Sequence, residues 1–114
     1  MEKKHSGFVF TYQDKTVKCQ LLEESIAYQT VVIFVEMDGV EHRGFSMRKG
    51  DSFIAKGQIA KAVRDEEIEG VEMAVAPPSD SNAVLMVRVT KSFDDIKDRI
   101  LEIIFRELRN RGLL

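Results

Sequence analysis

Polar and apolar residues alternate over the first part of the chain. Residues 7–12 and 16–23 are rich in β-branched and aromatic side chains, and in the second run Val17, Cys19 and Leu21 alternate with polar residues. Successive side chains of a strand point to opposite faces of its sheet, so this run is typical of a strand with one face in water. The short polar segment between the two runs predicts a turn, and therefore a β-hairpin.

A second hairpin is predicted around Asp38 and Gly39. Residues 29–37 contain an unbroken apolar block at 31–35, which is typical of a strand that is buried on both faces. Asp and Gly tolerate the positive φ angles that two-residue hairpin loops require. We therefore expect residues 40–47 to form a strand that folds back against the one before it.

The hydrophobic period changes to that of a helix at residues 53–64, where Asp51 or Ser52 is the expected N-cap. The apolar side chains of this helix are mostly small, which would let it pack close to a sheet. Residues 71–76 and 83–90 then return to the composition of strands. The segment between them is rich in proline, serine and aspartate and predicts a surface loop.

The last helix is the best-defined element of the sequence. Ser92 is the expected N-cap, Asp95 occupies the capping-box position three residues later, and Gly112 ends the helix. The element order ββββαββα predicts an α+β fold, with an antiparallel sheet of about six strands and two helices. At 114 residues, the chain has the size of one domain, which we expect to span residues 1–114.

The apolar stripes are broader than one small domain requires. On a helical wheel the apolar side chains of the last helix cover roughly 200°, against about 100° for packing on one surface. If both helices cover the same face of the sheet, the other face would bind a partner, most simply a second copy. The alternative is a monomer whose helices split between the two faces or whose twisted sheet wraps around the long helix. The residues expected on an oligomer or partner face are Val32, Phe34, Met86, Leu101 and Phe105.

Charge and composition limit the cellular location and the kinds of partner that we expect for this chain. The formal net charge of -2 gives no global attraction to nucleic acid or to an anionic membrane. No segment approaches the roughly 20 apolar residues of a membrane span, and residues 1–6 lack the apolar run of a signal peptide. Cys19 is the single cysteine, so neither an internal disulfide nor a thiolate zinc cluster is expected. We therefore expect a cytoplasmic protein with no membrane contact, no disulfide partner and no cofactor.

A basic segment offers the sharpest alternative function. Residues 40–64 hold six basic and two acidic residues, a net +4, whereas residues 65–80 hold six acidic and no basic residues, a net -6. Basic side chains with interleaved aromatic rings can follow a phosphate backbone and stack a base. The competing interpretation is a solvated face that pairs with the acidic segment. The candidate nucleic-acid or anion-binding residues are Arg43, Phe45, Arg48, Lys49 and Lys56.

The stretch Arg-Gly-Phe-Ser-Met-Arg-Lys-Gly at residues 43–50 follows the predicted strands and enters the first helix. In this arrangement the chain resembles single-stranded nucleic-acid-binding families such as Whirly and the purine-rich-element-binding proteins. The resemblance covers about residues 29–65 and rests on the order of elements. It implies a curved antiparallel sheet and a dimer.

No residue pattern indicates a catalytic or metal site. Cys19 alternates with apolar neighbours and is expected to be buried, while His5 and His42 are the only histidines and make neither a metal site nor a triad. The favoured interpretation is a small non-catalytic binding or regulatory protein that forms a homo-oligomer, with a dimer favoured, or docks a partner. Single-stranded nucleic-acid binding is the first alternative, and a small enzyme without a recognisable motif is the second.

Overall fold

A computed structural model of the chain describes residues 7–36, 49–78 and 81–114, with the backbone alone over residues 49–54. The described part has the predicted α+β class, with two helices and a five-stranded sheet in which every pairing is antiparallel. The sixth predicted strand, residues 40–47, lies outside the described residues. The elements in chain order are β1 (Gly7–Tyr12), β2 (Lys15–Glu24), β3 (Gln29–Val35), α1 (Lys49–Asp65), β4 (Val71–Val75), β5 (Leu85–Val89) and α2 (Phe93–Asn110).

The strands do not lie in the sheet in their chain order, because the spatial order is β1-β2-β3-β5-β4. β3 pairs with β2 along one side, and its residues 29–33 pair with β5 along the other. β3 therefore has a neighbouring strand on both sides over residues 29–33.

The predicted hairpin between the first two strands is confirmed. Gln13 and Asp14 have φ angles of 51° and 68°, and the flanking residues Tyr12 and Lys15 pair with each other. Positive φ at both central positions is the conformation of a type I′ turn, whose twist matches that of the flanking strands. Lys15 therefore belongs to β2 and not to the turn.

Both helices pack on one face of the sheet, which we call the inner face. Side chains of β2, β3 and β5 on this face form one apolar core with side chains of α1 and α2. α2 lies over β1, since the ring of Phe93 is 5.9 Å from that of Phe8 and the ring of Phe105 is 4.9 Å from that of Tyr12. α1 packs against α2 and β4.

The apolar arc of the last helix is buried within one chain, because one side of α2 contacts the sheet and another contacts α1. Leu101 and Phe105 are 0% exposed. These two residues were expected on an oligomer or partner face, and their burial corrects that part of the prediction. The buried apolar residues of α2 are Phe93, Ile96, Ile100, Leu101, Ile103, Ile104, Phe105 and Leu108.

The ends of α2 are formed mainly by backbone hydrogen bonds. Ser92 is the N-cap residue, but its side chain makes no capping hydrogen bond, and the N–H of Asp95 donates to the Ser92 carbonyl at 3.0 Å. Gly112 has a φ of 74°, and the N–H of Leu113 donates to the Leu108 carbonyl at 2.9 Å. This is a Schellman ending, so the predicted role of Gly112 is confirmed and the side-chain cap is not.

The first helix begins earlier than predicted. It starts at Lys49, so Asp51 and Ser52 lie within its first turn and neither is the N-cap. A carboxylate is stabilised by the helix dipole in the first turn as well as at the cap, and the sequence alone does not separate these two positions.

Candidate partner-binding face

The face of the sheet that points away from both helices is the outer face. Residues that pair directly across antiparallel strands point to the same side of the sheet. The pairing aligns Val75 of β4 with Met86 of β5, Met86 with Val32 of β3, and Val32 with Gln20 of β2. Val75, Met86 and Val32 therefore form a continuous row across three strands, which we call the apolar row.

The outer face is covered less completely than the inner face. Val32 is 8% exposed, and Met86, Val75 and Phe34 are half-buried. Phe34 lies two residues along β3 from Val32, and the Nζ atom of Lys18 is 5.3 Å from its ring centroid. The structure thus brings three of the predicted partner-face residues, Val32, Phe34 and Met86, onto one side of the sheet.

A polar network borders the apolar row near the β2–β3 turn. The Arg88 guanidinium lies 4.3 Å from the Tyr28 ring centroid and 3.4 Å from a carboxylate oxygen of Glu23. The Tyr28 and Thr30 hydroxyls donate to the two oxygens of Glu23 at 3.3 Å and 3.2 Å. Because these four side chains satisfy one another, the network fastens the turn to the sheet and gives the apolar row a polar rim.

Val75 and Met73 belong to the outer face but were missed from the sequence. Met73 pairs with Arg88, which lies on the outer face together with its partner Thr30. The available signal was the composition of β4, in which Glu72 separates apolar residues. That pattern identifies a strand but does not indicate that β4 lies next to β5 at the edge of the sheet.

Lys56 is not a surface contact for phosphate, contrary to the sequence prediction. It is 1% exposed, and its Nζ donates to the carbonyl of Ser81 at 2.5 Å and to that of Pro78 at 3.4 Å. A buried ammonium group needs such partners, because burying an unpaired charge is strongly unfavourable. Lys56 therefore anchors the segment between β4 and β5 to α1.

The side chains of the other candidate nucleic-acid-binding residues lie outside the described part of the chain. Lys49 is the first residue of α1, and its side chain is outside the described part of the chain. The other three candidates also lie outside the described residues, and they are Arg43, Phe45 and Arg48.

The acidic residues at 65–69 pair with α1, with α2 and with the segment between β5 and α2. Lys61 contacts Asp65 at 2.7 Å, whereas Glu66 contacts Arg99 at 3.4 Å and Arg106 at 3.9 Å. All of these side chains are at least 40% exposed, so each pair contributes little to stability. Of these pairs, only that of Lys61 with Asp65 joins the basic segment to the acidic one.

Cys19 is a core side chain, as predicted. It is 0% exposed, and burial raises the pKa of its thiol from 9.0 to about 12, while the positive charge of Lys97 acts in the opposite direction. A thiol that stays protonated at neutral pH is a poor nucleophile. Within residues 7–36, 49–78 and 81–114, no three His, Cys, Asp or Glu side chains form a cluster able to bind a metal ion.

No helix in the described part of the chain is long and apolar enough to cross a membrane.

Neither a protein-family model, nor a curated protein, nor a solved structure matches this chain.

Proposed function

We propose that this chain is a small non-catalytic binding or regulatory protein that docks a protein partner on its outer face. The observation that supports this proposal is that both helices pack on the inner face, while on the other side Val75 and Met86 are half-buried apolar residues aligned with Val32, which is 8% exposed. Contiguous apolar surface with a polar rim is typical of protein interaction sites. We place this activity in the cytoplasm.

The shape of the apolar row favours an amphipathic helix as the docking element. Three neighbouring strands place the first and last residues of the row about 10 Å apart, since strands are about 4.8 Å apart. Apolar residues at positions i and i+7 of a helix are also about 10 Å apart, at 1.5 Å per residue. Met73 and Met86 on this face have unbranched side chains that adapt to different partners.

The two alternative functions receive no support from a described contact. Of the residues expected to bind single-stranded nucleic acid, Lys56 is buried. The side chains of the others lie outside the described residues. A thiol-dependent enzyme would need a reactive cysteine, whereas the pKa of the buried Cys19 thiol is raised to about 12.

The proposal is tested by placing a photo-crosslinking amino acid at Met86 in the full chain, and at the exposed Glu102 of α2 as the matched control. We expect a specific adduct from position 86 that position 102 does not give. The captured protein, once identified and purified, should bind the wild-type chain at least tenfold more tightly than Met86→Glu. An adduct with a second copy would identify self-docking on the same face. Equal adducts at both positions, or equal affinity for Met86→Glu, would contradict the proposal.

A further inference from the structure

The two edges of the sheet are formed by β1 and β4. Within the described residues, β1 pairs with β2 on one side and with nothing on the other. Half of its backbone N–H and C=O groups therefore point away from the sheet. Such an edge is a template for pairing with another strand.

The β4 edge carries the protections by which proteins prevent such pairing. The Arg64 guanidinium donates to the carbonyl of Ala74 at 2.8 Å, α1 packs beside the strand, and the exposed Glu72 lies at an irregularity of the β4–β5 pairing. Charged side chains, bulges and covering helices are the usual means of blocking an edge.

α2 packs on the inner face of β1, where the Nζ atom of Lys97 is 5.4 Å from the ring centroid of Phe10, but within the described part of the chain the strand itself has no charged side chain and no pairing irregularity. Its six residues, Gly-Phe-Val-Phe-Thr-Tyr, include no charge, and they are of types favoured in strands. Phe8 is 40% exposed and Val9 is 63% exposed. Apolar surface thus lies on both sides of the open edge.

We propose that β1 pairs with β1 of a second copy, in antiparallel orientation about a two-fold axis perpendicular to the sheet. Neither copy of β1 brings a charged side chain of its own to the pairing, and a two-fold axis makes the same strand complementary to itself. The β1 pairing would form the interface of the homodimer expected from the sequence, and it does not require docking at the outer face.

The symmetry restricts the register of this pairing. A two-fold axis perpendicular to the sheet keeps both inner faces on one side, so residues of the same parity must face each other. Either Phe10 or Val9 then lies opposite itself. With Phe10 at the axis, Phe8 faces Tyr12 of the other copy, and both rings already contact α2 of their own chain. Cross-strand aromatic pairs of this kind stabilise sheets.

The dimer is tested by size-exclusion chromatography with light scattering on the wild-type chain, Thr11→Lys, Met86→Glu and Glu72→Lys. We expect the wild type to have twice the chain mass of 13.0 kDa. Thr11→Lys should have the mass of one chain and an unchanged circular dichroism spectrum, because a lysine on the exposed side of an edge strand blocks pairing. Glu72→Lys on the other edge and Met86→Glu on the outer face should remain dimers.

A monomeric wild type, or a Thr11→Lys variant that stays dimeric, would overturn the β1 interface. Dissociation of Met86→Glu alone would also overturn it, and would instead support self-docking on the outer face. If Met86→Glu loses partner binding while the dimer stays intact, both proposals are supported, so a failure of one can be distinguished from a failure of the other.

A second measurement uses cysteine substitutions. Either Val9→Cys or Phe10→Cys should oxidise to a covalent dimer, whereas Met73→Cys should not. Absence of any covalent dimer contradicts the pairing.

Discussion

The two faces of β3 carry side chains of the same kind but have different surroundings. Val31, Ile33 and Val35 on the inner face are at most 1% exposed, because α1 and α2 pack over them. Val32 and Phe34 alternate with them on the outer face, where Val32 keeps 8% of its surface exposed and Phe34 is half-buried. Apolar character alone therefore does not separate core from docking surface. The core is distinguished by the helices, which pack on the inner face of the sheet.

The largest expected effect comes from the inner face at Phe105. Phe105→Ala should lower the free energy of unfolding by about 3–5 kcal/mol, since it removes a fully buried ring and leaves a cavity under β1. Phe34→Ala on the outer face should cost less than half as much. Urea unfolding followed by circular dichroism measures both, and equal losses would remove the distinction between the faces.

A smaller loss is expected at the buried lysine of α1. Lys56→Met keeps most of the volume but deprives the carbonyls of Ser81 and Pro78 of their donor, which should cost about 1.5–3 kcal/mol. Lys61→Met is the matched control on the exposed side of the same helix, where the side chain is 60% exposed. It should change stability by no more than about 0.5 kcal/mol. Similar effects of the two variants in urea unfolding would argue against an anchoring role.

The inner face also gives a pH dependence through Cys19. The thiol pKa is 9.0 in the unfolded chain and about 12 in the folded one, so above pH 9 only the unfolded chain ionises at this residue. Stability should fall as pH rises from 9 towards 12, by about 1.4 kcal/mol at pH 10. Cys19→Val lacks this contribution, and the difference between the two unfolding free energies at pH 7 and pH 10 isolates it. A difference that does not change with pH would place the thiol in water.

The smallest effect is expected at the rim of the outer face. Arg88→Met removes the stacking on Tyr28 and the contact with Glu23, and should cost about 0.5–1 kcal/mol. Arg106→Met removes only an exposed ion pair and should cost less. If thermal unfolding shows a larger loss for Arg88→Met than for Lys56→Met, the rim is more important for the fold than the buried anchor.

Local patterns were sufficient for most of the secondary structure. β1, β2 and α2 follow from alternation, turn residues and the broad apolar arc, all of which are contained within short segments of sequence. The pairing of β3 with β5 and the packing of both helices on one face depend on contacts between distant segments, which no local pattern encodes.

Residue roles were harder to predict than elements. Val32, Phe34 and Met86 were expected on a partner face because apolar residues stand at successive positions in their strands, and the register places them together. Leu101 and Phe105 were assigned to the same face because the contribution of α1 to covering α2 was not visible in the sequence. Lys56 was assigned to the surface because of its charge, whereas its ammonium group donates hydrogen bonds to two backbone carbonyls in the interior.

The most direct test of a one-sided sheet uses two adjacent residues of β5. Leu85 is 0% exposed on the inner face and Met86 is half-buried on the outer face. We expect Leu85→Glu to prevent folding, because it buries a charge without a partner. Met86→Glu should stay folded, with a melting temperature within about 8 °C of the wild type, the largest shift expected for a loss of 1 kcal/mol. Thermal melts of both variants by circular dichroism decide the question, and unfolding of both would mean that the outer face is part of the core and is not free to dock a partner.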